Sequence, residues 1–182
     1  MMMLFLLHTP MYREIQYGFA LEYRYKRWTI SALFTGAAKV NFLYGGSGFY
    51  PFSGGEVGNI LSIVNDPKNR WTPAWYSGDP STENPNARFP RLTYGENKNN
   101  NRASTFWLAD GSYLRWKSLD ISYRIGTNKA LRTVGISDMN LQFVGQNLAV
   151  WDSVKLWDPG QASKNGAVYP LQRTFSLQLR SN

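Results

Sequence analysis

Residues 14 to 25 alternate without exception: Ile15, Tyr17, Phe19, Leu21, Tyr23 and Tyr25 are apolar or aromatic, and Glu14, Gln16, Gly18, Ala20, Glu22 and Arg24 fill the other register. Period two places the two sets on opposite faces of a β-strand. The run is twelve residues long, whereas strands of soluble domains cluster near ~5–6 and tilted membrane-spanning strands near ~9–11. A chain that builds such a strand has to give its long apolar face something to rest on.

The pattern recurs. After a tight polar turn at Lys26-Arg27, residues 28 to 35 resume the alternation and read as a return strand, although the turn lacks the Asn-Gly pair that usually marks a hairpin. Leu119, Ile121, Tyr123 and Ile125 alternate with Asp120, Ser122 and Arg124 after an aromatic loop that begins at Phe106. Met139 to Leu148 makes a fourth strand, and Leu171 to Arg180 a fifth, with Phe175, Leu177 and Leu179 on one face. Between them lie connections of unlike length: two residues, then 36 to 112, then 126 to 138, then 151 to 170. The interval 36–112 is rich in Gly, Pro and Asn, and is predicted to hold one short helix, with Val57, Ile60, Leu61 and Val64 on one face before Asp66-Pro67. It far exceeds the ~12–15 residues of an ordinary loop, and its aromatics argue for a folded excursion rather than disorder.

Composition removes several classes of function. There is no cysteine, which excludes disulfides, thiol nucleophiles and thiolate metal sites, and the sole histidine, His8, leaves a Ser-His-Asp triad or a histidine metal cluster without its parts. No metal site, cofactor or catalytic residue is expected. The formal charge is +8, but the 20 Lys and Arg are dispersed with no basic tract, so nucleic acid is not an expected partner. Met1 to Leu7 is apolar but has no basic start and no small-residue cleavage site after it, a poor signal peptide.

Antiparallel neighbours joined alternately by short and long connections put the long loops at one end. That is the plan of an outer-membrane barrel with short periplasmic turns and long extracellular loops, whose lipid-facing residues are apolar and whose lumen-facing residues are polar. A soluble sandwich also alternates, but does not need strands of this length. The expected fold is therefore all-β: about five antiparallel strands of a transmembrane β-barrel, too few to close it, with a long extracellular loop containing a short helix.

Particular strings point to a family. Tyr17-Gly18-Phe19, Phe42 to Phe52, Arg70-Trp71-Thr72-Pro73, Asn84 to Leu92, Asn101 to Arg115 with its Phe106-Trp107-Leu108-Ala109-Asp110-Gly111-Ser112-Tyr113-Leu114-Arg115, Gly145-Gln146-Asn147-Leu148 and Leu156-Trp157-Asp158-Pro159 resemble, in the same order, the C-terminal part of SusC/RagA-type TonB-linked outer-membrane proteins. The resemblance runs from about Tyr12 to Arg180 and treats residues 1–11 as a lead outside the family, 12–182 as a barrel segment and 36–112 as one extracellular loop. It implies an importer of glycans or peptides, located in the outer membrane, contacting lipid, capped by a SusD-like surface lipoprotein and energised by the TonB system through an N-terminal plug and TonB box. Neither plug nor TonB box lies in this sequence, and five strands are fewer than the ~8 of the smallest spanning barrels, so the segment is expected to be inactive as a transporter alone. The resemblance also implies a terminal aromatic; here Leu179 is followed by Arg180-Ser181-Asn182, so the chain is expected either to stop about one residue short of it or to have an altered end. A soluble carbohydrate-binding β module and a non-functional gene remnant are the alternative readings; an enzyme is not expected.

Two sets of candidate site residues follow. Trp71, Trp75, Trp107 and Trp157, with Asp110 and Asp158 nearby, either stack on cargo and accept its hydrogen bonds or pack within their own loops. Tyr12, Tyr25, Trp28, Tyr113 and Trp116 fall near strand ends, where they serve either as interfacial aromatics or as cross-strand packing.

Overall fold

The computed structural model describes residues 15–54, 58–126, 132–133, 135, 138–161, 163 and 165–181. It divides into two compact units, Met1–Asn41 with Asp110–Gln161 and Tyr169–Asn182, and Phe42–Ala109 with Ala162–Val168.

The first unit is an antiparallel sheet. Its strands are β1 (Ile15–Tyr25), β2 (Trp28–Ala38), β5 (Tyr113–Arg124), β6 (Met139–Asp152) and β7 (Thr174–Ser181), hydrogen-bonded in that order. Strand order equals chain order and the sheet does not close, so β1 and β7 each keep a free edge. Every residue of both edge strands is exposed. The interior strands run 11, 12 and 14 residues, longer than alternation indicates. β6 continues through Trp151, which the sequence assigns to a loop, and β2 continues to Ala38.

Two local features explain the strand ends. Lys26 takes a positive φ of 53° in the β1–β2 turn, a conformation that Gly or Asn would adopt more easily. The turn is held from outside: Arg27 donates from Nη1 to the Ile125 carbonyl at 3.1 Å, and the Arg124 N–H donates to the Arg27 carbonyl at 2.9 Å. Midway along the sheet the register shifts at Lys117, opposite Asn147 and Leu148. This bulge puts both Trp116 and Leu119 on one face although they are three residues apart.

The second unit has little regular structure. Short strands β3 (Asn41–Leu43) and β4 (Leu108–Asp110) pair where the chain enters and leaves it. Between them lie two single-turn helices, α1 (Ser62–Asn65) and α2 (Ala74–Ser77), and 3-10 turns at Pro67–Asn69, Pro80–Thr82 and Thr105–Trp107. The helix expected before Asp66-Pro67 is thus reduced to one turn: Ile60 and Leu61 precede it, and Val57 lies outside the described residues. The core is aromatic. Phe49, Phe89 and Trp107 are buried, with ring centroids 5.5–6.1 Å apart, and Tyr44 stacks on Phe49 at 5.0 Å. Each such ring buries ~150–250 Å², which explains how so irregular a segment acquires a core.

Candidate functional site

The sheet separates its chemistry by face. On one, Ile15, Tyr17, Phe19, Leu21, Tyr23 and Tyr25 stand opposite Ala38, Gly36, Phe34, Ala32, Ile30 and Trp28. Across β2, Leu114, Trp116, Leu119, Ile121 and Tyr123 follow, then Trp151, Ala149, Gly145, Phe143 and Leu141, and finally Phe175, Leu177 and Leu179. No charged residue interrupts this set. Aromatic stacks cross it, Phe19 on Phe34 at 5.0 Å and Phe34 on Trp116 at 5.7 Å, and Phe143 lies 6.0 Å from Phe175. At the turn end, Trp28 contacts Tyr123 at 4.6 Å beside Tyr25.

The other face is largely polar, interrupted by Ala20, Leu33, Val144 and Val150. It carries Gln16, Glu22 and Arg24, then Thr29, Ser31 and Thr35, then Arg115, Ser118, Asp120, Ser122 and Arg124, then Asn140, Gln142 and Gln146, then Thr174, Ser176, Gln178 and Arg180. Gln142 donates to Asp120. The strongest contact is an ion pair between Arg115 Nη2 and both oxygens of Asp158, at 2.5 and 2.6 Å, with side chains only 9% and 14% exposed. Asp158 also accepts the Gly160 N–H at 2.8 Å. These bonds tie the start of the β6–β7 connection to the polar face.

In the second unit a cleft of about 260 Å³ is lined by Arg70, Trp71, Thr72, Pro73, Trp75, Tyr76, Arg91 and Leu92. Its wall is α2, which is capped at both ends. Glu83 Oε1 accepts the Ala74 N–H at 2.8 Å, and Gly78, at φ 75°, returns its N–H to the Ala74 carbonyl at 2.8 Å. Behind it, the buried Thr72 and Thr82 exchange bonds through the Thr72 N–H and the Thr82 hydroxyl, both at 2.9 Å. This frame leaves Trp75 and Tyr76 exposed at 79% and 69%, in an edge-to-face pair with centroids 5.9 Å apart. Arg70 donates to the carbonyls of Val64 and Asn65, which α1 leaves without helical partners. Asp79, nearby in sequence, has its pKa lowered by the side-chain hydrogen bond from Ser81 and by the Ser81 N–H.

The expected site residues separate accordingly. Trp71 and Trp75 line one cleft. Trp107, expected on the same footing, is 2% exposed and donates its indole N–H to the Asn100 carbonyl at 2.8 Å; its ring is committed to the core and offers no face to a ligand. Asp110 accepts the Ser112 N–H at 2.8 Å, and Asp158 is committed to Arg115. Trp157 is half-buried on the β6–β7 connection. Among the strand-end aromatics, Tyr25, Trp28 and Trp116 occupy the apolar face. Tyr113 stands instead on the polar face, its ring 5.7 Å from the Arg115 guanidinium, and Tyr12 lies outside the described residues. Sequence reasoning missed Tyr76, Arg91 and Leu92 at the cleft and Tyr123 and Trp151 on the apolar face. The period-two pattern already contained Tyr123; the others carried no periodic signal.

No protein-family model matches the chain, and no curated protein matches it. Solved structures do. The chain is similar to the RagAB peptide importer. Against its "open-open" state the TM-score is 0.63 at 18% identity, covering 94% of this chain and 17% of the matched chain. Against the "closed-closed" state it is 0.66 at 18% identity, covering 96% and 18%. A further structure, described as the RagAB peptide transporter, gives 0.59 at 19% identity, covering 90% and 17%. The chain thus spans about a sixth of the length of the chains it matches. At these identities the likeness establishes the fold alone: a mostly antiparallel, unclosed β-sheet with few helices.

Proposed function

We propose that the chain forms part of the wall and one surface loop of an outer-membrane importer of the SusC type, taking peptides or glycans with a SusD-like lipoprotein as lid. The observation that carries this reading is the five-strand face without a charge, backed by a largely polar face of equal extent. In water such an apolar surface has to be covered, because contiguous exposed patches of a soluble protein seldom exceed a few hundred Å². Lipid covers it, the polar face lines a lumen, and Tyr25, Trp28 and Tyr123 lie at the headgroup level. Among the described residues no helix is long and apolar enough to cross a membrane, and in this reading strands do the crossing.

Five strands leave two edges whose backbone groups each cost several kcal/mol in hydrocarbon, so the reading requires further strands against β1 and β7, and a plug with its TonB box, before transport occurs. The likeness to a transporter described as a peptide importer favours peptides over glycans. Cell fractionation tests the proposal. The protein is expected in the outer-membrane pellet after alkaline carbonate washing; recovery in the soluble fraction without detergent overturns it in favour of a soluble β module.

A further inference from the structure

Arg91 stands at the cleft beside Trp71, Trp75 and Tyr76 and, among the described residues, makes no hydrogen bond or ion pair. The cleft's other guanidinium, Arg70, is engaged by carbonyls. The carboxylates closest to Arg91 in sequence are occupied elsewhere, Glu96 by the Asn101 amide at 3.4 Å and Glu83 by the Ala74 N–H at 2.8 Å. Phe89 exchanges bonds with Asn69 and Trp71, both at 3.0 Å, but residues 91 to 95 make no backbone hydrogen bond among the described residues, although Arg91, Thr93 and Tyr94 are exposed. The cleft therefore presents a free planar cation and an outward aromatic shelf, and the unpaired N–H and C=O groups of Arg91 and Leu92 continue from it to Thr93 and Gly95, which border a smaller hollow.

We propose that this cleft is a subsite for the C-terminal end of a peptide. Arg91 receives the terminal carboxylate through the forked geometry that guanidinium and carboxylate share. Trp75 and Tyr76 cover the last apolar side chain, and the backbone of 91–95 pairs with the peptide main chain as an added strand would. A volume of about 260 Å³ is below the ~300–1,000 Å³ of a drug-sized pocket and suits one end of a chain. A neutral sugar would use the aromatic shelf but leave the guanidinium and the main-chain groups unpaired, so the peptide is favoured. The inference rests on the import reading and narrows its cargo.

The test uses the full-length protein, purified in detergent, and fluorescence anisotropy with a fluorescein-labelled Gly-Gly-Leu-Phe peptide as free acid and as C-terminal amide. The free acid is expected to bind about ten- to a hundredfold tighter, the range of hydrogen bonds to a charged group. Arg91→Gln is expected to equalise the two, Arg91→Lys to keep part of the difference, and Trp75→Ala to weaken both peptides alike; circular dichroism of each variant confirms folding. Equal affinities in the parent protein, a preference that survives Arg91→Gln, or displacement of the peptide by equimolar maltohexaose would overturn the proposal. Acid-selective, Arg91-dependent binding by a protein that fractionates away from the outer membrane would uphold the cleft and overturn the import reading alone.

Discussion

The hydroxyl of Tyr17 donates to the carbonyl of Tyr113 at 3.0 Å, reaching from β1 to β5 across the strand between them. Gly36 on β2 makes the reach possible, because a Cβ built there would lie 2.4 Å from Tyr17 Cζ and 2.5 Å from the Tyr113 carbonyl oxygen. Gly36→Ala is therefore expected to cost about 1–3 kcal/mol, the range of overpacking, whereas Tyr17→Phe loses about 1 kcal/mol or less. Tyr17→Ala in the Gly36→Ala background should recover part of the loss, since it removes the ring but not the backbone clash. Urea unfolding in detergent micelles measures all three; additive effects would show that the ring is not what Gly36 accommodates.

The Arg115–Asp158 pair is largely shielded from water, and removing one partner strands the other. Arg115→Met or Asp158→Leu alone is expected to destabilise the sheet by about 3–5 kcal/mol. The double variant, with no charge left unpaired, should regain most of it. Limited proteolysis after Lys155 follows the same order: fast in each single variant and slower in the double.

Trp75 and Trp107 were equivalent in the sequence and are opposites in the structure. Trp107→Ala is expected to cost about 3–5 kcal/mol as a buried aromatic truncation, and Trp75→Ala within about 0.5 kcal/mol as a surface change. Thermal melting followed by near-ultraviolet circular dichroism distinguishes them, and similar melting shifts would contradict the burial assigned to Trp107.

Burial raises the pKa of Tyr50 above its ordinary 10.0, its ring packing against Trp107 at 5.2 Å. A phenol whose folded pKa is raised favours the folded state while protonated. The contribution is intact below the unfolded pKa and is withdrawn as pH rises from there through the folded value. Absorbance titration near 295 nm should show one tyrosine ionising late, and Tyr50→Phe should remove that last phase.

The hairpin of β1 and β2 was legible because the period of two is unbroken from Ile15 to Tyr25 and resumes after the turn from Trp28 to Thr35, with Leu33 as its exception. Alternation failed where geometry breaks the phase. The bulge at Lys117 moves Trp116 onto the same face as Leu119, so a strict count joins Trp116 to the wrong set and begins β5 too late. Opposite it, Asn147 at φ 53° lets β6 run on to Trp151 beyond the point where its pattern lapses. The second unit carried no period at all. Its fold depends on turns, side-chain caps and rings that meet from distant positions, such as Phe49 and Trp107, and composition cannot say which tryptophan turns inward. Arg91 was invisible for a related reason: its significance lies in having no partner while Arg70 has two.

Strand order and chain order coincide in the sheet, and this bears on how it is made. Each hairpin closes through local contacts, β1 with β2 and β6 with its neighbours, and such pairings form early because little chain entropy is lost in bringing them together. The union of β2 with β5 is different, since the chain between them must first be gathered in. Assembly then proceeds like a fastener with one stiff tooth: a lesion in the aromatic core around Phe49 would be felt first as a delay in joining the β1–β2 hairpin to the three strands β5, β6 and β7, before it weakened either part.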